Sequence, residues 1–146
     1  MSLIREVFAE RQLRCTAQRR ALYESLHRDN SHPTAEELYR RVKPQMNRLS
    51  LATVYNTLEV LCKVGLARKL PTNNGRCRYD ADTSEHLHVC FREDGVIQDV
   101  PDELGDGLLE QLPRSAIARI ERELDVEVDG LTLQLLVRRT PRRPAI

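Results

Sequence analysis

Tryptophan is absent from the 146-residue chain, and aromatic residues make up only 4% of it. One large aromatic-rich core is therefore not expected, although 40% hydrophobic residues suffice for a modest one. No run approaches the roughly 18 apolar residues that a spanning helix needs. With 31% charged residues, an integral membrane protein is excluded. The opening stretch MSLIREVFAERQLR is charged and amphipathic and lacks the apolar segment of a secretory signal. A cytoplasmic location with no membrane partner is expected. The cysteines Cys15, Cys62, Cys77 and Cys90 include no C-x-x-C pair. Reduced thiols are the default, and the spacing gives no support to a four-thiolate zinc site.

What the chain does have is an uneven distribution of charge. Residues 1–78 carry 15 Lys/Arg and 7 Asp/Glu (+8), whereas residues 79–146 carry 8 and 15 (−7). A basic half followed by an acidic half points to two modules, the first meeting a polyanion.

The basic half reads as a short first helix, three further helices and a hairpin. Leu3, Ile4, Val7 and Phe8 recur at helical spacing, and a second helix is expected from Thr16 to His27. Thr34 and Glu37 have capping-box spacing, and Pro44 ends the helix that follows. Ser50 opens SLATVYNTLEVLCKVG, in which Val54, Leu58 and Leu61 point inward and Gly65 suits a left-handed cap. The opposite face is expected to carry Thr53, Asn56, Thr57 and Lys63, short hydrogen-bonding groups and a cation suited to a major groove. LARKL and RCRYDA flank Thr72-Asn73-Asn74-Gly75, a hairpin signal because Asn and Gly both tolerate positive φ. Arg68, Lys69, Arg76 and Arg78 decorate these strands and are expected mainly to grip phosphate. The sum is a winged helix-turn-helix.

The acidic half holds His86-Leu87-His88. On a strand, period-two alternation puts both imidazoles on one face. Asp80 lies upstream, and a turn at Gly95 can bring Asp99 back beside them. Imidazole and carboxylate donors suit Fe(II), Mn(II) or Zn(II). Helical periodicity returns from Pro113 to Leu124, and Leu131–Val137 reads as a strand. No general base stands out beyond these groups, so an enzyme is not expected.

The segments LRCTAQRR (13–20), HPTAEELY (32–39), LATVYNTL (51–58) and HLH (86–88) resemble the ferric uptake regulator family in order and spacing, over about residues 11–137. The resemblance implies an α+β protein: a winged-helix DNA-binding domain at 1–79, a hinge at 80–83 and a small α/β dimerisation domain at 84–137; the Pro- and Arg-rich stretch 138–146 reads as a disordered tail. The resemblance also implies a homodimer that binds a double-stranded operator with an inverted repeat, as a metal-dependent repressor. It places one divalent ion per subunit, Fe(II) or Mn(II) with Zn(II) possible in vitro, on His32, Asp80, His86, His88 and Asp99. The expected DNA contacts are Arg14, Arg19, Ser50, Thr53, Tyr55, Asn56, Thr57 and Arg76. Aspartate at 80 and 99, and Asn56, resemble the peroxide-sensing branch, in which Fe(II) reacts with hydrogen peroxide and ligand histidines are oxidised. By position these are His32 and His86. An iron- or manganese-availability sensor is the alternative, and a thiol regulator using Cys15, Cys77 or Cys90 a more distant one.

The sequence departs from the family at the structural zinc. The first C-x-x-C pair would fall on Phe91 and Asp94, and the second on the stretch Arg138-Arg139-Thr140-Pro141. No four-cysteine zinc is expected, and dimer contacts are expected to rest on apolar packing by the last strand.

Overall fold

A computed structural model describes residues 3–84 and 86–141. Four helices come first: α1 (Leu3–Glu10), α2 (Ala17–His27), α3 (Ala35–Val42) and α4 (Leu51–Lys63). A 3₁₀ turn, Lys43–Gln45, follows α3 and contains Pro44. Three of the four helices begin on hydroxyl caps, which satisfy amide donors that have no partner inside the helix. Thr16 accepts from the amide of Arg19 and Ser50 from that of Thr53. Thr34 and Glu37 form both halves of a capping box. Gly65 closes α4 at φ +76°, and the amide of Leu66 returns to the carbonyl of Leu61.

The helices bury Phe8, Leu22, Leu26, Leu38, Val54, Leu58 and Leu61 together. Each such side chain contributes on the order of 1.5–3 kcal/mol. Strands β1 (Arg68–Pro71) and β2 (Cys77–Asp80) form the wing, with Arg68 opposite Asp80 and Pro71 opposite Cys77. Only Gly75 of the Asn-Gly pair has positive φ. The strands are joined by the five-residue loop 72–76. Thr72 closes it by donating its amide and its hydroxyl to the carbonyl of Arg76.

The second sheet has the order β4-β3-β5. Strand β3 (His88–Phe91) pairs antiparallel with β4 (Ile97–Asp99), setting His88 opposite Asp99, and parallel with β5 (Gln134–Val137). Helices α5 (Asp102–Glu110) and α6 (Arg114–Leu124) form the connection. Helix α5 was not expected, because Gly105 and Gly107 lower its helix propensity. Strand β5 is shorter than the expected 131–137. Leu70 of the wing, Cys90 of β3 and Ile97 of β4 form a small buried cluster that seats the wing on the second sheet.

Apolar side chains of this second module are uncovered in the single chain. Leu104, Ile120, Leu124, Leu135 and Leu136 are all exposed, and α6 buries none of its residues. Near the end of the chain, Arg139 stands where the second cysteine pair would lie. Its amide donates to Glu93, its guanidinium pairs with Asp94 at 3.0 Å, and it stacks 4.2 Å from the ring of Phe91. Residue 139 is thus anchored to the β3–β4 turn, contrary to the expectation of disorder from 138 onward. Residues 142–146 of that expected tail lie outside the described residues.

Candidate metal centre

Strand alternation brings the first ligands together. Asp80 ends β2, His88 begins β3 and Asp99 ends β4 opposite it. His86 lies two residues before His88 and so shares its side. His32 arrives from the loop between α2 and α3, where its φ of +53° is left-handed, a conformation few non-glycine residues adopt. His32, Asp80, His88 and Asp99 each offer a donor atom within 4.8 Å of the others.

The donors face one point. His32 Nε2 lies 2.8 Å from Asp99 Oδ1, and its Nδ1 lies 3.6 Å from Asp80 Oδ2. His86 Nε2 is 3.1 Å from Asp80 Oδ2 and 3.2 Å from Asp99 Oδ1. For His88 Nε2 these separations are 3.3 and 3.1 Å. Two donors each about 2.1 Å from one cation, at tetrahedral or octahedral angles, stand roughly 3.0–3.4 Å apart. The buried Nδ1 atoms of His32 and His88 have no hydrogen-bond partner among the described residues. A nitrogen- and carboxylate-rich set without thiolate fits Fe(II), Mn(II) or Zn(II). The Asp99 side chain is 42% exposed while that of His88 is 1% exposed, so solvent reaches the cluster from the Asp99 side.

The titration of the cluster is coupled to these contacts. Burial opposes the charge of Asp80. The hydrogen bond from His88, the Asp82 amide and the neighbouring His32 and His86 outweigh burial and hold its pKa below the usual carboxylate range. Burial likewise opposes charge on His86. The Ser84 carbonyl and the carboxylates of Asp99, Asp80 and Asp82 outweigh it and raise the pKa.

The expected DNA-contacting residues separate into two groups. Arg14, Ser50, Tyr55, Asn56 and Arg76 are exposed, and Thr53 and Arg19 are half-buried. Thr57 is 4% exposed and packs inward beside Leu58, so its placement on the outer face of α4 is corrected. At a helical step of 100° it falls beside the inward Val54 and Leu61 rather than opposite them. Tyr55 donates its hydroxyl to Glu36 at the start of α3. Arg19 donates to the carbonyl of Arg14.

Arg78 was read as a phosphate-gripping residue of the wing, but its side chain is 11% exposed and engaged with protein acceptors. The signal that could have found it is strand alternation. Arg78 shares a face of β2 with Asp80, whereas Tyr79 points into the winged-helix core.

Residues 10–124 match the family model described as the ferric uptake regulator family. The peroxide-responsive repressor PerR of Staphylococcus saprophyticus is 37% identical over 87 residues, which cover 60% of this chain and 59% of that protein. The similarity thus spans less than two thirds of the relative's length. Among solved structures, the Campylobacter jejuni peroxide stress regulator is 25% identical with a TM-score of 0.67, over 98% of this chain and 100% of that one. A zinc-bound manganese uptake regulator is 26% identical with a TM-score of 0.65, over 95% and 100%. Among the described residues, no helix is long and apolar enough to cross a membrane. The relatives are transcriptional regulators rather than enzymes. With most of its length matched, this chain belongs to the ferric uptake regulator family.

Proposed function

We propose that the chain is a homodimeric, metal-dependent DNA-binding repressor that senses hydrogen peroxide. The observation carrying this reading is the convergence of His32 from the winged-helix half with Asp80, His86, His88 and Asp99 around one point. A cation held there joins the domain read at 1–79 to the one read at 84–137 across the hinge at 80–83. It favours one angle between them, and so one spacing between two α4 helices in a dimer. Half-sites repeat at about 34–36 Å or its multiples, so an inverted-repeat operator docks only at the right angle. A ligand that binds the docking-competent shape better shifts the population toward it.

His32, Asp80, His86, His88 and Asp99 are the proposed ligands of one divalent ion per subunit. Arg14, Arg19, Ser50, Thr53, Tyr55, Asn56 and Arg76 are the proposed DNA contacts. Fe(II) held by the proposed ligands would activate hydrogen peroxide, so that one peroxide oxygen is inserted into an imidazole C–H bond and the other leaves as water. His32 and His86 are the residues proposed to take up the inserted oxygen. Loss of either donor weakens the hold of the cation on the angle between the two domains. Similarity to the Staphylococcus peroxide-responsive repressor supports the peroxide reading. Similarity to a manganese uptake regulator over nearly the whole chain favours a second one, a metal-availability sensor.

The test uses duplex DNA selected from a random pool with the Mn(II)-loaded protein. Binding is measured anaerobically for the Fe(II) and Mn(II) forms, before and after a low dose of hydrogen peroxide, with mass spectrometry of the His32 and His86 peptides. Release of DNA by the Fe(II) form alone, with one added oxygen on a histidine, is the expected result. Retention by both forms, with unmodified histidines, identifies the availability sensor.

A further inference from the structure

The guanidinium of Arg78 donates to three acceptors from three parts of the chain. Nη1 lies 3.0 Å from the carbonyl of His32 and 3.2 Å from Glu37 Oε2, and Nε lies 2.9 Å from the carbonyl of Gly95. The first acceptor is the main chain of a proposed ligand held in the left-handed region. The second is the carboxylate that closes the capping box of α3. The third is the β3–β4 turn, from which β4 runs to Asp99.

That turn fits closely against the wing. Gly95 has φ +68°, and a Cβ there would lie 2.7 Å from the side-chain nitrogen of Asn74. Asn73 donates its side-chain amide to the carbonyl of Arg92. Beneath these polar contacts lies the apolar cluster of Leu70, Cys90 and Ile97. The wing is thus docked on the second sheet beside the metal centre, and Arg78 is the polar group that joins both to the His32 loop.

We propose that Arg78 is a positioning residue. It presets the angle between the winged helix and the second sheet, and the pose of His32, before a cation arrives. This rests on the metal-dependent reading above. Only arginine suits the place. It has five donors in a rigid planar fork and keeps its charge at every physiological pH, whereas lysine offers a single point of charge on a flexible stem. A site assembled in only a fraction of molecules binds with an affinity reduced by that fraction. Removing Arg78 therefore weakens metal binding although Arg78 touches no metal.

The test compares full-length wild type, Arg78→Met and Arg78→Lys, each shown to be folded by circular dichroism. Mn(II) affinity is measured by titration, and the metal-free shape by small-angle X-ray scattering. Arg78→Met is expected to bind Mn(II) at least about tenfold more weakly and to have a larger radius of gyration without metal. Arg78→Lys is expected to fall between it and the wild type. Wild-type affinity and an unchanged metal-free shape in Arg78→Met would overturn the proposal. So would Arg78→Lys, should Arg78→Met not fold, if it matched wild type in both measurements. If the wild type itself bound no Mn(II), the metal-site reading would fail. The metal-free scattering would still decide whether Arg78 sets the domain angle.

Discussion

His86 is the residue at which protons and cations compete most directly. Its ring contacts both carboxylates of the cluster, and its proton is held more tightly than on a free imidazole. A bound cation must displace that proton. Mn(II) affinity is therefore expected to fall as the pH drops from 8 to 6, by about tenfold per unit for each proton displaced once the pH is below the raised pKa. Competition should begin above the ordinary imidazole value of about 6.5. Affinity independent of pH over this range would remove His86 from the ligand set. For folding without metal the sign is the opposite. The paired imidazolium adds stability that is complete below about pH 6.5 and is lost as the pH rises through the raised folded value. His86→Ala should abolish metal-dependent DNA binding, and Mn(II) titration of the variant should show at least about a tenfold loss, the scale at which even outer-shell changes act. Unchanged metal-dependent DNA binding would exclude the assignment.

At the scale of single elements, α3 offers the clearest test. It is eight residues long, and its N-terminus is closed by Thr34 and Glu37 acting on each other. A short helix gains little from propensity alone, so its cap matters in proportion. Thr34→Ala is expected to cost about 0.5–2 kcal/mol in urea unfolding, the usual range for a lost hydroxyl cap. A loss below a few tenths would show that packing of Leu38 and Val42 alone holds the helix. The same element shows how closely cap and site are linked. Glu37 serves both the box and Arg78, and His32 lies only two residues before the cap. The capping box of α3 and the inward face of α4 were legible from spacing because they depend on residues three or four apart. Helix α5 was not legible. Its glycines weaken the local signal, and the close approach of Gly105 to Leu87 and Val100 shows that tertiary packing holds it in place.

For the molecule as a whole, the exposed apolar residues of β5 and α6 are the proposed dimer contact. Leu135 and Leu136 are adjacent on β5, point to opposite sides and are 41% and 51% exposed. With Ile120 and Leu124 they are apolar side chains that a lone subunit leaves in water. Leu136→Glu is expected to shift the protein from dimer to monomer in sedimentation at micromolar concentration and to abolish binding to a two-half-site DNA. Retention of the dimer would place the interface elsewhere. The anchor of Arg139 on Glu93, Asp94 and Phe91 acts at the other end of this strand. It occupies the place at which the family resemblance puts paired cysteines.

The readings that spacing alone carried are those governed by near neighbours along the chain. They include hydroxyl caps, the inward stripe of α4 and the shared face of His86 and His88. Their physics acts over one helical turn or one strand pleat, so the order of residues is sufficient. The Asn-Gly hairpin was located from sequence, and Thr72 closes its loop by bonding to Arg76. Contacts between distant residues were settled by folding. His32 meets Asp99 across 67 positions, an approach that local spacing does not reveal. Thr57, by contrast, shares the inward side of α4 with Val54 and Leu61, as helical spacing alone requires. Arg78 left the DNA-facing set because three acceptors from separate segments converge on it. Burial and long-range pairing depend on where the whole chain goes, and pattern along the chain is blind to both.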